Sequence, residues 1–369
     1  MADSRKGTGR SLRRLAVGAG VTAAVAAGAV VAERAAARRL RGRADPEAGH
    51  DLASLPPEEL GPVASLDGTR LHVRAAGPEA SPTLVFLHGF SLDLTTWYYQ
   101  WRHFSGRYRC VLYDHRAHGR SGKPASGDYS LEAMGKDLRA VLDAAVPSGP
   151  AVLMGHSMGG MALLSFARQF PDEFGDRVAG VVFVDTAASD VLSEVVGGVG
   201  ARLGWALRRV GSRYTTRPDL AERLQRRVRR FGADLTFLIG WVTNFGPGAS
   251  PAHVEHVTRL SADAPVEVWV HTLQGILDMD LRHAIANVTV PSLVTVGDRD
   301  LLTPKASARA LRDALPDARA VVITGAGHLS MMERHEVFNE VLDGYLDQML
   351  SVSARGESRP RRRKAAAGT

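Results

Sequence analysis

The chain has 369 residues, 45% hydrophobic and 23% charged, which supports a sizeable core and excludes a disordered protein. One cysteine, Cys110, excludes an intrachain disulfide, and within the strand-like run 109–113 it reads as a small core residue. The net charge of +7 is uneven: residues 1–43 hold ten Lys/Arg against two acids, 201–231 ten against two, and 354–369 six against one, so the remaining body is at −14, which excludes nucleic acid as the partner and fits an anionic membrane surface better.

Residues 15–32 form an uncharged run of 18 residues, mostly Ala, Val and Gly, bracketed by arginines. As a helix it would span about 27 Å, just short of a bilayer core. Three readings compete: a membrane anchor, a cleaved export signal of twin-arginine type at Arg13-Arg14-Leu15, or a surface Ala-rich helix. Residues 44–62, with Pro56-Pro57, read as a linker between this N-terminal unit (1–43) and the folded body. Strand-like and helix-like stretches then alternate. Strands are expected at 71–74, 83–87, 109–113, 151–154, 178–184, 292–296 and 320–323, and helices at 96–105, 130–145, 158–169, 304–315 and 334–350. This order argues for an α/β fold with a mostly parallel sheet and helices on both faces. The core is assigned to 63–187 and 288–350. Residues 188–287, mostly helical in pattern, read as an insertion over the carboxyl edge of the sheet. Residues 351–369 read as a basic disordered tail.

Gly155-His156-Ser157-Met158-Gly159 matches G-x-S-x-G. The bare motif is weak, but an apolar strand precedes it and an amphipathic helix follows, as a nucleophile on a tight strand-to-helix turn requires. Acyl transfer creates a negative oxygen that needs two preset donors. The backbone N–H of Met158 is one candidate. The N–H of Phe90, after the strand that ends at His88-Gly89, is the other. A serine needs a base, and the base needs an orienting acid. His328, in Gly325-Ala326-Gly327-His328, follows a strand and precedes the final helix. Asp298 and Asp300 both follow the 292–296 strand, and Asp185 closes the 178–184 strand as a third candidate.

Taken together, His88-Gly89-Phe90, the run from Asp114 to Ser121, Gly155 to Gly160, Gly297 to Asp300 and Gly325 to His328 resemble the ordered motifs of the α/β-hydrolase superfamily, over about residues 63–350. The resemblance implies an eight-stranded sheet, a helical cap between strands six and seven, no cofactor and no metal. It also implies Ser157, Asp300 and His328 as the catalytic residues. Two departures stand out: Ala117, where many relatives carry glycine in a structural loop, and the arginine-rich insertion. Serine as nucleophile speaks against haloalkane dehalogenases and epoxide hydrolases, which use aspartate there. The expected function is hydrolysis of a hydrophobic carboxylic ester, monoacylglycerol-like or lysolipid-like, with Trp97, Trp241 and Met279 as candidate pocket liners. Alternatives are an acyltransferase or a cofactor-free haloperoxidase or perhydrolase on the same residues, or a non-catalytic scaffold. The oligomeric state stays open, and the N-terminal unit implies a membrane-associated or exported protein.

Overall fold

A computed structural model describes residues 30–146, 149–189 and 232–354, with Val191, Arg223 and Arg226 as isolated positions. Most of the uncharged run and, apart from Arg223 and Arg226, the arginine-rich stretch 201–231 lie outside the described residues; of the expected tail 351–369, residues 351–354 continue the last helix instead and the remainder lies outside the described residues. Among the described residues no helix is long and apolar enough to cross a membrane.

Eight strands form one sheet: β1 (Glu58–Ala64), β2 (Arg70–Ala76), β3 (Thr83–Leu87), β4 (Arg109–Tyr113), β5 (Ala151–His156), β6 (Val178–Val184), β7 (Ser292–Gly297) and β8 (Ala318–Ile323). Their spatial order is β1-β2-β4-β3-β5-β6-β7-β8. β2 runs antiparallel to both β1 and β4, and all other pairs are parallel. The central strands are short apolar runs because helices cover both faces. Alternate residues enter opposite cores: Val85, Leu87, Leu153, Val181 and Phe183 on one side, Leu84, Phe86, Met154, Val182 and Val184 on the other.

The chain enters through helix α1 (30–41). α3 (Leu131–Ala145), α4 (Met158–Gln169) and α7 (Lys305–Ala314) pack on the first face. α2 (Tyr98–Phe104) and α8 (His335–Ala354) pack on the second. Between β6 and β7 the insertion supplies α5 (Ala233–Asn244) and α6 (Pro251–Asp263), then a π-helical turn at Val268–Thr272.

One strand differs from the sequence expectation. Residues 58–62, read as linker, belong to β1. Gly61 at φ 76° and Pro62 sit at an irregularity in the β1–β2 register, so no apolar alternation marks the strand. Proline is tolerated there because the strand lies at the sheet edge. The rest of the expected linker is also fastened down. Leu52 is buried, Asp45 accepts from the Ser250 hydroxyl (2.6 Å) and the Ala252 amide (2.8 Å), and Glu47 accepts from the Tyr99 hydroxyl (2.7 Å).

Candidate active site

The carboxyl ends of β3, β5, β6, β7 and β8 share one edge of the sheet, and the strand order reverses around β3, the usual ligand position in an open α/β sheet. Ser157 stands between β5 and α4, capping the helix with φ 50° and ψ −115°. Its amide donates to the Val184 carbonyl (2.9 Å), and its carbonyl accepts from the Thr186 hydroxyl (2.7 Å). The flanking glycines are sterically required. A Cβ at Gly155 would lie 2.5 Å from the Gly160 nitrogen, and one at Gly159 would lie 2.4 Å from the Leu87 oxygen.

The Ser157 Oγ stands 2.9 Å from His328 Nε2, and His328 Nδ1 stands 2.9 Å from Asp300 Oδ2. Asp300 Oδ1 accepts from the amides of Leu302 (2.8 Å) and Thr303 (3.0 Å), while the Thr303 hydroxyl donates to Oδ2 (2.8 Å). Burial pushes the Asp300 carboxyl up, but His328 and these donors outweigh it and hold it below its ordinary value. Burial pulls the His328 imidazole down, but Asp300, helped by Asp185 and Glu333, leaves it above its ordinary value.

The loop that carries His328 is held from four sides. The His328 amide donates to the Asn244 carbonyl at the end of α5 (2.8 Å), and its carbonyl accepts from His156 Nε2 (2.8 Å). The Gly327 amide donates to Glu333 (2.6 Å), which also accepts from the Gly246 amide (2.7 Å). On the fourth side, the loop after β7 presses so close that a Cβ at Gly297 would lie 2.1 Å from the Gly327 oxygen. No sequence signal marked Glu333 or Asn244 for this work, since the Glu333 carboxylate and the Asn244 carbonyl serve backbone amides that only the folded chain brings to them.

The other two acids serve elsewhere. Asp185 is fully buried at φ 45° and accepts from the Gly297 amide (2.9 Å), the Ser330 amide (3.0 Å) and the Ser330 hydroxyl (2.7 Å). It therefore ties β6 to the two loops that carry Asp300 and His328. Burial and the neighbouring Asp300 push it up to about 8. Asp298 accepts from the Gly325 amide (2.7 Å), joining the β7 and β8 loops.

Phe90 and Met158 lie on the two turns expected to supply oxyanion donors, and among the described residues neither amide has a hydrogen-bond acceptor. Gly89 lets the Phe90 turn approach, since a Cβ there would meet His156 Nδ1 at 2.6 Å. Beneath this turn, His88 Nδ1 donates to the Gly89 carbonyl (2.8 Å), and His118 Nε2 accepts from the Ser91 amide (3.2 Å). The Phe90 ring meets Trp269, half-exposed on the π-helical turn, edge to face at 4.9 Å. Trp269 escaped the sequence reading because no periodicity set it apart.

The expected pocket liners are dispersed. Trp97 is fully enclosed against Phe86 (5.2 Å) in the second core, so it is a core residue and not a liner. Trp241 faces Phe237 and carries the Arg43 guanidinium over its ring at 5.2 Å, so its indole is used to fasten the N-terminal segment. Met279 packs against the core layer that contains Met158. Ala117 stands at φ 61°, a backbone that glycine adopts freely and alanine does not, so the departure from the family pattern has a conformational cost.

Residues 82–335 match the family described as the alpha/beta hydrolase fold. The chain is an α/β-hydrolase. It is 25% identical to 3-oxoadipate enol-lactonase 2 of Acinetobacter baylyi over 277 residues, 75% of this chain and 92% of that protein. The enol-lactonase of Burkholderia xenovorans superposes with a TM-score of 0.58 at 25% identity, covering 77% of this α/β-hydrolase and 98% of that chain. A thermophilic esterase of Thermogutta terrifontis gives a TM-score of 0.60 at 24% identity over 79% and 99% of the two chains. The curated relatives include enol-lactonases and putative carbamate hydrolases, and this chain is a hydrolase.

Proposed function

We propose that this hydrolase cleaves a hydrophobic carboxylic ester through an acyl-enzyme on Ser157. The unbroken hydrogen-bond chain from Ser157 through His328 to Asp300 carries the reading. In the first half-reaction His328 Nε2 takes the Ser157 proton as Oγ bonds to the ester carbonyl carbon. Asp300 orients the imidazole and stabilises its charged form. The carbonyl oxygen, now negative, accepts from the Phe90 and Met158 amides; one such donor contributes about 3–4 kcal/mol. The C–O bond to the leaving alcohol then breaks as His328 returns the proton to it. In the second half-reaction His328 takes a proton from water, the hydroxide attacks the acyl carbon, and Ser157 leaves with the proton restored.

The enol-lactonase and esterase relatives support an ester-type carbonyl, because a lactone is a cyclic ester. The Phe90–Trp269 pair offers an apolar wall beside the proposed oxyanion donors. A monoacylglycerol-like or lysolipid-like ester is the sharper form of the proposal. The uncharged run at 15–32, flanked by arginines, would attach the enzyme to an anionic membrane.

The test is fluorophosphonate labelling of the wild type and Ser157→Ala, with turnover of soluble esters of rising chain length. Labelling should vanish in the variant, and kcat should fall at least about 1,000-fold with the fold intact. Rate should rise with acyl length. Undiminished hydrolysis by Ser157→Ala would overturn the assignment, and alcohol or peroxide as competing acceptor would expose acyl transfer or perhydrolysis.

A further inference from the structure

Helix α5 is apolar on both sides. Its inner side, Phe237, Gly240 and Trp241, packs into the second core and against α6. Its outer side carries Leu235, Ile239 and Val242, spaced i, i+4, i+7 and therefore one stripe, with 49%, 53% and 64% of their surfaces exposed. A helix apolar all round is ordinarily covered on every side.

Where the chain comes from indicates what covers the stripe. The uncharged run 15–32 leads directly into α1, and α1 is fastened to α5 and α6. Arg41 pairs with Asp234 (2.5 Å) and Glu255 (2.9 Å), and its guanidinium lies over Phe237 at 4.4 Å. Arg43 lies over Trp241 and donates to the Pro247 carbonyl (3.0 Å). Val30 and Val31, the first described residues of α1, are exposed. The stretch that precedes α5 in the chain, 201–231, carries ten arginines against two acids. An apolar stripe free of charge, on a helix to which Arg41 and Arg43 are fastened, with an uncharged run and strongly basic sequence preceding in the chain, is the composition that an anionic bilayer interface accepts.

We propose that the outer face of α5 docks in the interface of an anionic lipid bilayer, as a second contact beside the N-terminal run. The proposal builds on the membrane attachment proposed above and names the surface that makes it productive. The carbonyl of Asn244, the last residue of α5, accepts from the His328 amide, so the helix that meets lipid also braces the loop of the proposed base.

The test uses the full chain with Ile239→Cys carrying the environment-sensitive dye NBD. Cys110 is the only native cysteine and is buried. Asp313→Cys, exposed on α7, is the control position. Vesicles of phosphatidylcholine with about one-third phosphatidylglycerol should raise NBD emission at 239 severalfold. Lipid-borne quenchers should reverse the rise, and position 313 should stay silent. Three results would each overturn the proposal: no response at 239 while the chain co-sediments with vesicles, no co-sedimentation at all, or an apolar NBD signal at 239 before lipid is added, which would mean that the chain itself or a second copy covers the stripe. Turnover of a soluble short ester by the same labelled protein reads the hydrolytic assignment separately.

Discussion

Ser157 and Ala117 both hold left-handed backbone, at φ 50° and 61°. At Ser157 the conformation lifts the hydroxyl to His328, and the strain, about 1–3 kcal/mol, is held by the sheet and by Thr186. At Ala117 no reacting group is presented. Its methyl packs with Tyr129 and Val268, which offsets part of the conformational cost. Ala117→Gly is therefore expected to leave stability within about 1 kcal/mol of the wild type, since strain relief is balanced by a lost contact and a freer unfolded chain. Ala117→Val, β-branched and overpacked, is expected to cost about 2–3 kcal/mol. Urea denaturation of the two variants checks both values. His328 gives a second expectation at this scale. It must be neutral to accept the Ser157 proton, and its surroundings hold it above its ordinary 6.5. Ester hydrolysis should rise with pH through a midpoint above 6.5. A midpoint below that value in the kcat/KM profile would mean that burial outweighs Asp300.

Among the elements, the segment between α1 and β1 looks like a tether in sequence and behaves as a strap. Asp45 adds two hydrogen bonds at the amino end of α6, one to the Ser250 side chain that caps it and one to the Ala252 amide. Tyr99 bonds Glu47 and His253 (2.7 Å each) and stacks on His335 at 3.8 Å, so α2, α6 and α8 meet at the strap. Asp45→Ala should destabilise the protein by about 1–2 kcal/mol. Hydrogen exchange should then quicken first in α6. Exchange that quickens uniformly over the molecule would mean that the strap does not act locally. The strap was illegible in the sequence because its partners lie about two hundred residues away, and a run of Pro, Glu and Asp reads alike whether it is free or pinned.

Over the whole molecule, the buried histidines set the response to acid. Burial pulls His118, His253 and His256 down to about 4 and His115 and His156 down to about 3, with His88 also well below its ordinary value. In the unfolded chain each titrates near 6.5. Their neutral forms therefore contribute stability that is complete above 6.5 and is lost as pH falls toward 4. Buried Asp185, Glu333 and Asp93, pushed up to about 8, about 7 and about 6, act in the opposite sense, as do Asp137 and His328, both held above their ordinary values, and they offset part of that loss. The Tm should fall by about 5 °C or more between pH 7 and 5. A flat Tm over that range would mean that the histidines are already charged in the folded state.

At this scale the share of each source is plain. By itself the sequence determined the central strands, the helices between them and the turn at Ser157. These depend on local properties: apolar runs fit for a sheet covered on both faces, and glycines where a Cβ would strike the neighbouring turn. Tertiary structure decided which of three aspartates meets His328, because Asp185, Asp298 and Asp300 all follow strands at the same edge and only their loops' packing separates them. It also decided that Trp97 is core, that Trp241 holds Arg43, and that β1 exists at all. An aromatic residue in an amphipathic stretch reads the same whether it faces a core, a cation or a substrate, and an edge strand carries too little buried surface to mark itself. Those outcomes depend on contacts between segments far apart in the chain, which exist only once the sheet has assembled.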